Sequence, residues 1–201
     1  MSEYSLQHQA VAKSLYDAFQ NEPFYLAIAQ VRDNQEESEQ DALLKYFDFS
    51  ISEGKQYGDC HTLDNPSVGA SIWLKPQSKK ISQQQSKAKK AFLKNQFGEK
   101  SLAIYEKMAA LMNIHETNII RPNYWYLSIL GVGKNYQGLG YGRKLLTPVL
   151  SESDQLGIPT FLETFTEGNL VFYGKLGYKV VADYVDPYLK KTCWILVREV
   201  R

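Results

Sequence analysis

The sequence predicts an α/β (α+β) fold, a sheet flanked by helices, on three observations. Apolar residues recur at helical spacing through the first fifty residues and again after residue 141. Short β-forming runs bounded by turn residues lie near 68–74, 126–132, 160–165, 178–185 and 192–200. Between 126 and 146 a strand pattern runs directly through a glycine-rich turn into a helix pattern. The length of 201 residues suits a single domain over 1–201.

Residues 6–19 read as an amphipathic helix with Val11, Leu15, Ala18 and Phe19 on its stripe. Asn21 interrupts it, and Pro23 suits the first turn of a short second helix through Phe24, Leu26 and Ile28. A third helix is expected over 36–51, because Leu43, Leu44, Phe47 and Ile51 share one face, with Gly54 ending it. A weak strand over 56–63, the turn Asp64-Asn65-Pro66 and a stronger strand over 68–74 make an antiparallel hairpin.

Residues 77–123 then form a helical insertion between strands. Lys79, Lys80, Lys87, Lys89, Lys90 and Lys94 crowd its first half and read as a solvated face or a contact for anionic groups. Leu102, Met108, Ala109, Leu111, Met112 and Ile114 in its second half read as core, some of them reaching a pocket.

After the strand at 126–132, Lys134 and Asn135 break the run, and Gly138, Gly140 and Gly142 follow at alternate positions. Leu145, Leu146, Val149 and Leu150 then paint one helical face, with Gly157 as its C-cap. Pro159 precedes a strand over 160–165. Thr166 is a candidate cap for the next helix, which Gly177 closes, and two last strands form an antiparallel pair.

Composition excludes several classes. Hydrophobic residues make up 44% and charged residues 22%, ordinary for a packed domain. A net charge of +1 offers no field to gather nucleic acid or anionic lipid. Cys60, Cys193, His8, His61 and His115 stand in no ligand-like spacing, so no metal is expected. No signal-peptide pattern opens the chain and no long apolar run appears, so a cytoplasmic protein with free thiols is the expectation.

The strand–glycine turn–helix stretch suits a phosphate or pyrophosphate. A helix N-terminus presents unpaired N–H groups and partial positive charge, and glycine lets a ligand approach the backbone. Gly138 is followed by Leu139 and Gly142 by Arg143, so the loop is no Walker A. Nor is it Gly-x-Gly-x-x-Gly, because the third glycine is missing.

What it does contain is Gln137-x-x-Gly140-x-Gly142, which resembles the acyl-CoA loop of the GNAT superfamily of N-acetyltransferases. Asn169-Leu170-Val171-Phe172-Tyr173, running on to Gly177-Tyr178, resembles the family's later helix. Trp125-Tyr126-Leu127, Gly131-Val132, Leu162-Glu163-Thr164 and Thr192-Cys193-Trp194 are similar to the puromycin N-acetyltransferase branch. That likeness is densest from about 125 to the C-terminus.

The resemblance implies a mixed, mostly antiparallel twisted sheet whose central strands splay, and an acetyl-CoA-binding core over 126–178. The implied cofactor-binding residues are Leu130, Gly131 and Val132 for the pantetheine arm. Gln137, Gly138, Leu139, Gly140, Tyr141, Gly142 and Arg143 would hold the pyrophosphate, with Asn169, Phe172 and Tyr173 on the later helix. Acetyl-CoA would be a co-substrate, with no metal.

Acetyl transfer needs a proton taken from the amine and a thiolate helped to leave. By the resemblance Tyr173 is the general acid, the alternative being a packing role. The strand at 126–132 carries no Asp, Glu or His. Glu163 on the next strand is therefore the first choice for the base, against a salt-bridge role, with His115 as a weaker candidate. Asn169 would bond the pantetheine or order the helix start.

The expected function is direct transfer of acetyl from acetyl-CoA to a primary amine, of a small molecule by the puromycin-type likeness. The alternatives are a non-catalytic acyl-CoA sensor or interaction module, and acetylation of protein lysines or N-termini. A homodimer is compatible with this reading; nucleic acid and membrane are not expected partners.

Overall fold

The structure, a computed structural model, describes residues 4–200. In chain order its helices are α1 (Gln9–Phe19), α2 (Pro23–Gln30), α3 (Glu39–Tyr57), α4 (Lys79–Phe97), α5 (Glu99–Glu116), α6 (Tyr141–Leu156) and α7 (Asn169–Lys175). The strands are β1 (Gly58–Thr62), β2 (Gly69–Leu74), β3 (Trp125–Val132), β4 (Thr160–Thr164), β5 (Lys179–Asp186) and β6 (Lys191–Arg198). They form one sheet in the order β1-β2-β3-β4-β6-β5, in which the β3–β4 contact is parallel and the others antiparallel. Among the described residues no helix is long and apolar enough to cross a membrane.

The helices lie in two layers. One core joins α1–α5 to Ala70, Ile72 and Ile129 of the sheet; the other joins α6 and α7 to Trp73, Trp125, Leu127 and Leu162. A bulge lets β3 serve both. Trp73 faces Leu127 and Ile72 faces Ile129, so Ser128 has no partner in the register. Strict alternation would put Trp125, Leu127 and Ile129 on one face; the extra residue turns Ile129 to the other.

Several boundaries differ from expectation for physical reasons. Gly54 does not end α3, which continues to Tyr57. A Cβ there would meet Ile72 Cγ2 at 2.5 Å, so the glycine allows close packing of helix on strand. The insertion is two helices hinged at Gly98, whose φ of 95° a side chain would oppose. Thr166 does not cap α7; Gly168 holds the N-cap place, and the Thr166 hydroxyl reaches Glu22 at 3.4 Å. The Gly157 C-cap lies where expected, with φ 69°.

The lysines of α4 are not uniformly solvated. Lys90 pairs with Glu106 at 2.7 Å and Lys94 pairs with Glu99. Lys89 is buried, 7% exposed, with its ammonium 3.3 Å from Glu53 and 4.3 Å from the centre of the Tyr46 ring.

Candidate active site

β3 and β4 pair only through Trp125–Thr160 and Tyr126–Phe161. Beyond these residues the two strands part. β3 stays bonded to β2 as far as Val132, and β4 to β6 as far as Thr164. A cavity of about 420 Å³ opens at this divergence. Its strand wall is Tyr126, Ser128, Leu130, Glu163 and Thr164, and α7 adds Asn169 and Tyr173. The helices opposite contribute Tyr25, Tyr46, Lys89, Tyr105 and Met112.

Glu163 lies deep in the wall. Its Oε2 accepts a 3.2 Å hydrogen bond from the Tyr126 hydroxyl, and its Oε1 is buried without a partner. Burial raises its carboxyl well above the ordinary range, and the negative charge of Glu116 raises it further. Glu116, the last residue of α5, is also raised by burial. Two ionised carboxylates have no donor to share. A proton shared between them would give Glu163 its missing bond and leave the pair one negative charge.

Tyr173 is buried on α7 with its ring edge-to-face against Phe172, at 5.1 Å, and Tyr178, at 5.6 Å. Burial and the neighbouring Tyr178 raise its hydroxyl above the ordinary value. It therefore keeps its proton at neutral pH and can donate it. Asn169 gives a 3.0 Å hydrogen bond to Thr164 Oγ1, tying the start of α7 to the end of β4.

The glycine loop leads from β3 into α6. Gly138 and Gly140 have φ of 76° and 79°, and a Cβ on either would meet nothing within 4 Å. The loop thus has two positive-φ positions whose side-chain directions are open, just before the first turn of α6, a setting that fits a diphosphate. Gln137 Nε2 bonds Val132 O at 2.9 Å, clamping the loop to the strand end. Gly142 permits Phe172 to approach, since a Cβ would stand 3.2 Å from its ring. Gly131 likewise admits α1, with Leu15 Cδ2 2.5 Å from where its Cβ would be.

Of the residues singled out in the sequence, Leu130, Glu163, Asn169 and Tyr173 line the cavity together. Gly131 and Val132 end β3. Gln137, Gly138, Leu139, Gly140, Tyr141, Gly142 and Arg143 lie in the loop and first turn of α6, outside the cavity wall, and Phe172 packs behind Tyr173. His115 is not among the lining residues; it stacks on Tyr184 with ring centres 3.9 Å apart. Glu116 was not anticipated, and Lys89, read in the sequence as part of a solvated face or a contact for anionic groups, lies in the cavity wall. Glu116 had one local signal: an acid in the last turn of a helix opposes the helix dipole.

The sequence model of the Acetyltransferase (GNAT) family matches residues 72–178. An uncharacterized N-acetyltransferase of Schizosaccharomyces pombe is 30% identical over 84 residues, 40% of this chain. The chain spans 34% of the length of that relative. Among solved structures, a histone acetyltransferase HPA2 and related acetyltransferase of Corynebacterium glutamicum aligns over 100% of this chain and 95% of its own. Its TM-score is 0.64 at 15% identity. Arylalkylamine N-acetyltransferase 2 of Aedes aegypti aligns over 100% and 98%, with TM-score 0.62 and 15% identity. A polyamine N-acetyltransferase of Drosophila melanogaster aligns over 96% and 94%, with TM-score 0.60 and 15% identity. At these identities the likeness is one of fold.

Proposed function

The chain belongs to the Acetyltransferase (GNAT) family, and from that premise we propose that it transfers acetyl from acetyl-CoA to the primary amine of a small molecule. One observation carries this reading: a buried carboxyl pair, Glu163 with Glu116, and a protonated tyrosine, Tyr173, line one cavity where β3 and β4 part. The motifs shared with the puromycin branch support a small acceptor. So do the amine acceptors named for two proteins of similar fold, the polyamine and arylalkylamine enzymes.

Each residue then has a task. An amine arrives as ammonium and meets the single negative charge of the Glu116–Glu163 pair, which takes its proton. Tyr126 holds Glu163 in place through Oε2. The freed nitrogen attacks the thioester carbon, forming C–N as C–S breaks. The Tyr173 hydroxyl gives its proton to the leaving sulfur and is restored by the second proton the nitrogen releases. Backbone N–H groups along the unpaired part of β3 are the donors for the oxyanion. The loop amides from Gln137 to Arg143 take the diphosphate of the co-substrate, with Arg143 adding charge.

The test is thiol release from acetyl-CoA across a panel of primary amines, with the acetylated product identified by mass. Release coupled one-to-one to amide formation is expected. Tight acetyl-CoA binding with no release from any amine would leave a sensor in place of an enzyme.

A further inference from the structure

The cavity wall divides into chemically different parts. Glu163 Oε1 has no hydrogen-bond donor other than a proton shared with Glu116, and no lysine or arginine bridges either carboxyl among the described residues. The other acids have answers. Glu53 receives Lys89 at 3.3 Å and Gln85 at 3.3 Å. Glu22 receives the Thr166 hydroxyl at 3.4 Å and feels the charge of Lys191.

On the helix side the wall carries a run of aromatic rings beside the polar Ser82, Gln85, Ser86 and Asn113. Tyr25 packs edge-on to Phe24 at 5.4 Å and to Tyr46 at 5.4 Å, and Phe24 to Tyr105 at 6.4 Å. Burial pushes the Tyr105 hydroxyl up to about 12. One cation already lies there: the Lys89 ammonium, over Tyr46 at 4.3 Å and Phe49 at 5.0 Å.

These features select among amines. An ammonium group is drawn to the Glu116–Glu163 pair, and an arene finds ring edges and faces to pack on. A second ammonium, as in a diamine, would find the place over Tyr46 filled by Lys89 and the neighbouring Glu53 already paired with it. A carboxylate next to the amine, as in an amino acid, would lie against the negative pair.

We propose that the acceptor is a monoamine carried on an aromatic body, bound through its ammonium at Glu163 and Glu116 and through its ring against Tyr25, Tyr46 and Tyr105. This rests on the acetyl-transfer reading above and specifies its substrate class.

The test is kcat/KM for phenethylamine, diaminobutane and phenylalanine with the wild-type protein. Phenethylamine should exceed each of the others by at least about tenfold. The Lys89→Met variant should narrow the gap to diaminobutane by emptying the place over Tyr46 and freeing Glu53. If that variant does not fold, the wild-type comparison decides. Equal or better use of diaminobutane or phenylalanine would overturn the monoamine class while acetyl transfer stands. If no amine is acetylated although acetyl-CoA binds, acetyl transfer itself is overturned. Calorimetric titration of the three amines then judges the cavity alone: phenethylamine binding at least about tenfold tighter upholds the class, and any other order overturns it.

Discussion

The Tyr126 hydroxyl donates a 3.2 Å hydrogen bond to Glu163 Oε2 across the last pair of residues that joins β3 to β4. The two strands are held together at the point from which they diverge, and the residue that the bond orients lines the cavity there. Burial of this carboxyl has consequences that can be measured.

Glu163→Gln removes the proton acceptor but keeps the shape and the bond to Tyr126. Turnover should fall by roughly 10²–10⁴-fold, the usual scale of an acid–base group. Amine-dependent thiol release measures it, and turnover within threefold of wild type would exclude Glu163 from proton transfer.

The same variant should change stability with pH. The folded-state pKa of Glu163 lies above its ordinary 4.5, so the folded protein holds this proton more tightly than the unfolded chain does. The group therefore favours folding least at high pH, and wild-type stability declines as pH rises from about 4.5 through the raised folded value. Glu163→Gln should remove that decline and be the more stable protein near neutrality. Urea unfolding at a series of pH values checks the sign; parallel profiles for both proteins would contradict the upward shift of the buried carboxyl.

Tyr173→Phe keeps the ring packing on Phe172 and Tyr178 and deletes only the hydroxyl. Turnover should fall at least about tenfold while the acetyl-CoA KM stays within a factor of two to three. An unchanged turnover would reduce Tyr173 to a packing residue.

Gly140→Val places a branched side chain at φ 79°, a conformation that costs about 1–2 kcal/mol for a residue with a Cβ. The side chain projects from the loop into open space. Melting temperature should drop modestly, and the further rise on adding acetyl-CoA should be lost. A full ligand-induced rise in this variant would place the diphosphate elsewhere.

Arg198 of β6 makes two bonds to Asp154 of α6, at 2.8 and 2.6 Å, and a third to the Leu176 carbonyl at 3.0 Å. With its side chain 5% exposed, it fastens the C-terminal strand to the helices of the second layer. Arg198→Met removes all three bonds and should cost about 3 kcal/mol in urea unfolding. A loss below about 0.5 kcal/mol would class the pair with exposed ones.

The periodic signals carried far along the chain. Gly157 and Pro23 sit where their backbone preferences put them, at a C-cap and a first helical turn, because those preferences are local. Gly54 misled for the opposite reason: what requires a glycine there is Ile72, on a strand eighteen residues later. Glu163 was legible as an acid on the strand beside a strand without one. Glu116 was passed over for its neighbour His115, since the turn of α5 that sends one to Glu163 and the other to Tyr184 is set by where the helix docks.

The sequence by itself determined the elements, the glycine loop and the family, because these rest on side-chain period, backbone freedom and motif order, all written over short spans. Only the tertiary structure decided that α5 delivers a second carboxylate to Glu163 and that Lys89 lies inside an aromatic wall. Both depend on a helical hairpin folding back over the sheet, and that placement is chosen by apolar burial summed over several elements.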